Sequence, residues 1–149
     1  MSLISALENI HQKGQFGDYE GKSEKNLIKI SEIKNLIIVQ IVQYKNSNVL
    51  CEEIKIDNLK LSSKVLSVVS NENTRILWNG PRNWLIMTNK KEVISEIGKN
   101  FSEKDFAVTD ISHSKSIIQL EGDEAKEVLK KGCPFNFNEL YKNNCLNST

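Results

Sequence analysis

Residues 106–133 read FAVTDISHSKSIIQLEGDEAKEVLKKGC, and in this stretch strand, turn and helix signals follow one another without a gap. Ala107, Thr109 and Ile111 share one face of an extended segment, which is the period-2 pattern of a strand. Residues 116–120 (SIIQL) form a second β-branched run that ends at a glycine. The stretch therefore predicts two strands joined by a polar turn.

A helix is predicted directly after these strands. Asp123 is placed to cap its first turn, and Gly132 is placed to end it in the left-handed conformation, with Pro134 just beyond. The apolar positions at helical spacing are Ala125, Val128 and Leu129. Two lysines in the last turn suit the negative end of the helix dipole.

A second informative stretch is RILWNGPRNWLIMT, residues 75–88. Two apolar segments flank the turn-forming residues 79–82, so a β-hairpin is predicted. Trp78 and Trp84 stand on either side of that turn. Tryptophan is usually a core anchor, but it is also enriched at interface hot spots, so both readings stay open. Residues 91–101 then predict another helix.

The remaining segments complete an α+β pattern. Residues 28–33 and 36–44 predict strands, the second lying inside a sheet because its β-branched run is almost continuous. Residues 2–11 have the spacing of a short amphipathic helix, and residues 14–25 are expected to be a polar connector. We expect a mostly antiparallel sheet with helices packed on one face, in a single domain over residues 1–149.

Composition excludes several classes of function. The 149 residues are 39% hydrophobic and 26% charged with a net charge of +1, so nothing favours nucleic acid or an anionic membrane as a partner. Cys51, Cys133 and Cys145 form no C-x-x-C pair, which indicates neither a disulfide framework nor a zinc site. The N-terminus lacks the pattern of a secretory signal, and a cytoplasmic location is expected.

Asp110, Ser112 and His113 contain the residue types of a hydrolase triad. A triad needs its base between nucleophile and carboxylate, and neighbours on one extended segment cannot arrange that. We expect instead that the Asp and Ser side chains bond nearby backbone and that His113 fills a turn or a subunit contact. The sequence thus offers no catalytic, cofactor-binding or metal-binding residue in this chain.

The same stretch resembles the gamma subunit of heterotetrameric sarcosine oxidase, whose pattern reads D-x-S-H-G-R, then G-x-x-A-x-x-x-L-x-K-G-C-P. The matching residues are Asp110, Ser112, His113, Gly122, Ala125, Leu129, Lys131, Gly132, Cys133 and Pro134. Ser114 and Lys115 replace the usual Gly-Arg, which keeps the charge and loses the bidentate guanidinium. The hairpin resembles the family phrase L-W-x-G-P-x-x-W-L. The strand and helix pattern that follows D-x-S-H is also similar to that of the folate-binding aminomethyltransferases of the glycine cleavage T-protein type.

This resemblance implies a fold like that folate-binding domain and a non-catalytic structural subunit. The implied partners are the alpha, beta and delta subunits, which would carry FAD, FMN, NAD, tetrahydrofolate and zinc and would demethylate sarcosine. Trp78, Trp84 and His113 are then expected to be structural or subunit-interface residues. The family continues past the position of Cys145, so C-terminal elements are expected to be missing. The alternatives are a free-standing folate-binding or aminomethyltransferase-like protein, and a paralogue that assembles with itself.

Overall fold

A computed structural model describes Ser5, residues 7–9, 13–17 and 27–141, and Asn147, without the side chains of residues 140 and 141. The predicted helix over residues 2–11 and the predicted connector over residues 14–25 fall largely outside these ranges, as does Cys145. The chain divides into two compact units. Unit 1 contains Met1–Lys34 and Ser116–Lys142, and unit 2 contains Asn35–Lys115 and Asn143–Thr149.

The described elements are α+β, as predicted. The strands are β1 (Gly14–Phe16), β2 (Ile28–Ile33), β3 (Ile37–Gln43), β4 (Lys55–Ile56), β5 (Leu59–Lys60), β6 (Val68–Ser70), β7 (Thr74–Gly80), β8 (Asn83–Thr88), β9 (Phe106–Asp110) and β10 (Ile117–Glu121). The α-helices are α1 (Glu92–Asn100) and α2 (Ala125–Gly132). Short 3₁₀ turns occur at Cys51–Glu53, Ser112–Ser114 and Phe137–Tyr141. Every strand pairing is antiparallel, and the strands are divided among three sheets.

Unit 2 is built on a five-stranded sheet in the order β6-β7-β8-β3-β9. The almost continuous apolar run of β3 fits its place between β8 and β9, and the predicted interior position is confirmed. Buried residues alternate along β7 and β8, with Ile76 opposite Ile86 in the register. Helix α1 contributes Val93 and Ile97 to the same core cluster. The core of unit 2 therefore lies between one sheet face and α1.

Unit 1 contains the three-stranded sheet β1-β2-β10 and helix α2. Residues 14–16, expected to be connector, form β1 because they pair with the edge of β2. Gly122 is required after β10: its φ is +133°, and a Cβ there would lie 2.7 Å from the Leu27 carbonyl oxygen. The predicted turn at this glycine is confirmed.

The helix predicted between Asp123 and Gly132 is present as α2, but both of its predicted caps are wrong. Asp123 is not the N-cap, because a turn closed by the Ala125 N–H on the Gly122 carbonyl moves the cap to Glu124, which makes no side-chain cap bond. Gly132 is the last helical residue and not a left-handed terminator, since Cys133 caps the helix with its N–H on the Leu129 carbonyl. The sequence alone does not decide whether the helix is capped at Asp123 or at Glu124.

Candidate functional site

The predicted hairpin is confirmed, and its two tryptophans have different environments. Trp84 is 2% exposed, and its indole N–H donates to the Ser62 carbonyl at 2.8 Å. Trp78 pairs with Trp84 across β7 and β8 and is half-buried. A bulge follows Trp78, which takes the strand out of regular register before the turn. Trp84 is thus a core anchor of unit 2. Of the two tryptophans, only Trp78 has a side chain accessible to solvent or to a partner.

The tip of the hairpin is fixed to the end of β3. Arg82 takes a positive φ of 58°, and its guanidinium donates to the Tyr44 carbonyl at 3.0 Å and the Lys45 carbonyl at 2.6 Å. The Gln43 N–H donates in turn to the Arg82 carbonyl at 2.9 Å. Charge-assisted bonds of this kind are stronger than neutral ones. Arg82 therefore holds the backbone at Tyr44 and Lys45 in place, and its guanidinium is bound within the chain.

Asp110 and Ser112 form a clip between the end of β9 and the start of β3. The Asp110 carboxylate accepts the Ser112 N–H at 2.9 Å and its hydroxyl at 2.5 Å. The Ser112 oxygen accepts the Ile38 N–H at 2.9 Å. Hydrogen bonds from the Ser112 side chain and backbone hold the pKa of Asp110 below its ordinary value. The expected bonding of these side chains to backbone is confirmed.

His113 lies in the 3₁₀ turn that follows the clip, and it is exposed. Within the described residues no hydrogen bond joins it to Asp110 or Ser112, whose mutual bond occupies the hydroxyl proton that a triad base would take. The geometry of this turn does not support nucleophilic catalysis. His113 instead presents an imidazole at the surface beside an edge strand of the sheet.

The most connected polar site was not expected from the sequence. The Asp57 carboxylate accepts hydrogen bonds from Lys90 Nζ at 2.8 Å, Asn71 Nδ2 at 2.9 Å and Thr74 Oγ1 at 2.7 Å. These bonds, that of Lys90 first, lower the pKa of Asp57 to about 2. The Asp57 N–H donates to Glu96 on α1 at 3.0 Å. One aspartate thus joins the β4–β5 turn to the β6–β7 turn, β7, the segment between β8 and α1, and α1 itself.

A local signal could have located this aspartate. Asp57 and Asn58 separate two short strands, and both have positive φ values of 49° and 64°. Asp and Asn are, with Gly, the residues that dominate type I′ turns, in which both central residues have positive φ. Its partners at positions 71, 74, 90 and 96 lie 14 to 39 residues further along the chain, so no local sequence pattern joins them to Asp57. With three donors on its carboxylate, Asp57 has a structural role rather than that of a free base.

A surface depression of about 420 Å³ also lies in unit 2. Its lining residues are Val49, Leu50, Glu53, Ile54, Lys55 and Asn100. The Asn100 side-chain amide donates a hydrogen bond to the Lys55 carbonyl at 3.0 Å, so this polar group of the lining is bonded within the chain. No group of three His, Cys, Asp or Glu residues in the described part of the chain could hold a metal ion. Among the helices that the structure describes, none has the length and apolar character needed to span a bilayer.

Comparison with known proteins gives a likeness of fold. No family model matches the sequence, and no curated protein matches it either. A solved chain from the heterotetrameric sarcosine oxidase of Corynebacterium sp. U-96, determined in complex with pyrrole 2-carboxylate, matches with a TM-score of 0.64 and 20% identity. The alignment covers 77% of this chain and 60% of that one, so this chain spans less than two thirds of its neighbour. The α+β fold of the chain is therefore that of a chain in a heterotetrameric sarcosine oxidase.

Proposed function

We propose that the chain is the gamma subunit, or a gamma-like paralogue, of a heterotetrameric sarcosine oxidase. The observation that carries the proposal is the structural likeness over 77% of the chain to a chain of such an oxidase. A likeness at 20% identity concerns the fold, so the subunit and its role are what the proposal adds. The D-x-S-H turn and the tryptophan hairpin, whose sequences resemble the gamma family, supply the second line of support.

The chemistry of these two motifs fits a structural role. Asp110 and Ser112 direct their polar atoms to each other and to β3, and Trp84 fills the core. These interactions stiffen the sheet edge and the hairpin without leaving a nucleophile and base in reach of one another. The chain then buttresses the alpha subunit in the proposed complex. FAD, FMN, NAD, tetrahydrofolate and zinc would be bound by the other subunits.

A subunit-omission experiment tests this role. The candidate alpha, beta and delta subunits are expressed with and without this chain, and each preparation is measured for assembled complex and for sarcosine-dependent hydrogen peroxide per bound flavin. A structural subunit predicts that omission lowers the yield of intact complex and leaves the peroxide rate per flavin in the remaining complex nearly unchanged. Equal yield of intact complex without this chain would contradict the proposal.

A further inference from the structure

Strand β9 is an edge of the five-stranded sheet in unit 2. It pairs with β3 on one side, and no strand of the described residues pairs with it on the other. Val108 is 43% exposed, and Thr109 and Asp110 are exposed as well. Since successive side chains of a strand point to opposite faces, the second half of β9 is open to solvent on both faces of the sheet.

The hydrogen bonds between β9 and β3 determine which backbone groups of β9 point outward. The Ile111 N–H donates to the Ile38 carbonyl at 2.9 Å. At the other end of the strand, the Tyr44 N–H donates to the Asp105 carbonyl at 2.8 Å. In an antiparallel ladder every second residue bonds to the neighbouring strand, so the odd-numbered residues of β9 bond to β3. The even-numbered residues therefore direct their N–H and C=O groups away from the sheet.

Val108 and Asp110 have both of these outward groups unpaired within the described part of the chain. The third even-numbered residue, Phe106, already donates its N–H to the Ser102 carbonyl at 2.9 Å. Strand β9 also contains no lysine, proline or bulge, three of the features that protect an edge strand from pairing. Exposed, unpaired N–H and C=O groups along a regular edge are a template for another strand.

We propose that two copies of the chain pair antiparallel through β9, about a two-fold axis at Thr109. Val108 of each copy then lies opposite Asp110 of the other copy. Each opposed pair exchanges two N–H···O bonds, about four in all. The axis also places the Thr109 side chains of the two copies opposite each other, which is a favourable cross-strand pair.

Groups that are already bonded within the chain select this register. An axis at Val108 would place Asp110 opposite Phe106, whose N–H is bonded within its own chain. An axis at Asp110 would place the two Asp110 carboxylates opposite each other, which is destabilising. It would also place Val108 opposite Ser112, whose N–H donates to the Asp110 carboxylate at 2.9 Å. The axis at Thr109 uses the outward groups of Val108 and Asp110 alone, and no bond is broken in either copy.

The contact is small, so the dimer is weak. Stable interfaces bury about 1,200–2,000 Å² in total, and a pair of five-residue strands buries less than this. The dimer therefore forms at high protein concentration and dissociates on dilution. This inference concerns the free edge of the sheet and does not depend on the subunit assignment.

Sedimentation equilibrium of the full chain over a range of concentrations tests the pairing. Thr109→Lys places two like charges opposite each other at the axis. Val65→Lys is the matched control, because Val65 is 63% exposed in the same unit and lies outside β9. We expect Thr109→Lys to lower the association constant at least tenfold and Val65→Lys to leave it unchanged. Tryptophan fluorescence of each variant reports its folding.

A second variant removes a backbone donor instead of adding a charge. Val108→Pro deletes one outward N–H, and proline is tolerated at an edge position whose N–H faces solvent. It is also expected to lower the association constant at least tenfold. In the wild-type chain, hydrogen exchange at the amides of Val108 and Asp110 should slow as the dimer fraction rises.

Three outcomes would overturn the proposal. One is a wild-type chain that stays monomeric up to about 1 mM. Another is a dimer that neither Thr109→Lys nor Val108→Pro weakens, or one in which exchange at the Val108 and Asp110 amides is unchanged. The third is protection of these two amides that appears only when the alpha subunit is bound, which would assign the edge to that partner.

Discussion

Replacing Asp57 by Asn should lower the stability of unit 2 in a way that depends on pH. The wild-type carboxylate accepts three side-chain hydrogen bonds, and these lower its pKa from 3.8 to about 2. The amide of Asn cannot be ionised, and its NH₂ group would face donors. The variant therefore loses the stabilisation that comes from keeping this group charged in the folded state.

The expected magnitude follows from the pKa difference. At 1.36 kcal/mol for each pKa unit, the difference corresponds to about 2 kcal/mol of unfolding free energy at pH 7. The Asp57 side chain is only 13% exposed, but its partner Lys90 is 39% exposed. Because solvent screens their ion pair, the pair contributes no stabilisation beyond this figure. Because the folded-state pKa is depressed, the stabilisation is complete above the unfolded pKa of 3.8 and disappears as pH falls through about 2. At pH 3 about half of it remains.

Urea unfolding followed by tryptophan fluorescence measures this loss. Trp84 is buried in unit 2, the unit that also contains Asp57, so its emission reports the unit that the substitution affects. Glu103→Gln is the control, because it removes one carboxylate from an exposed residue of the same unit. A difference between wild type and Asp57→Asn that is the same at pH 7 and pH 3 would refute the reasoning, as would an equal loss in the control.

Three further predictions concern the hairpin tryptophans, the Asp110–Ser112 clip and folate binding. Trp84→Ala should cost about 3–5 kcal/mol of unfolding free energy by urea titration, and Trp78→Ala clearly less, because only Trp84 is fully buried; equal costs would contradict the assignment of Trp84 as the core anchor. Ser112→Ala should cost about 1 kcal/mol and speed hydrogen exchange at the Ile38 amide, which loses its acceptor; unchanged exchange there would show that the clip is not formed. Tetrahydrofolate titrated into the isolated chain should show no saturable binding by calorimetry, whereas micromolar binding would favour the folate-binding alternative.

The elements that could be predicted from sequence are those with local signals. The hairpin over residues 75–88 follows from two apolar runs around Asn-Gly-Pro-Arg, and the interior place of β3 follows from its continuous β-branched run. The start of α2 could not be fixed, because the competing turn at Gly122 depends on how closely the chain passes the Leu27 carbonyl. That approach involves residues 95 positions apart in the sequence.

The two polar sites also differ in whether a local sequence signal predicts them. The Asp110–Ser112 clip spans two residues, so its bonds to backbone could be expected from the motif alone. The Asp57 site draws on residues up to 39 positions away in the sequence, and it exists only after the sheet has formed. The different burial of Trp78 and Trp84 could not be predicted either, because each has Leu on one side and Asn on the other; the bulge after Trp78 accompanies their different environments.

The most direct test of the subunit assignment is capture of the assembled complex. The tagged chain is co-expressed with the candidate alpha, beta and delta subunits, purified through its own tag, and examined for subunit stoichiometry and flavin absorption. The proposed function predicts a yellow complex, with this chain in a 1:1 ratio to the alpha subunit, that oxidises sarcosine. A colourless preparation containing this chain alone would contradict it.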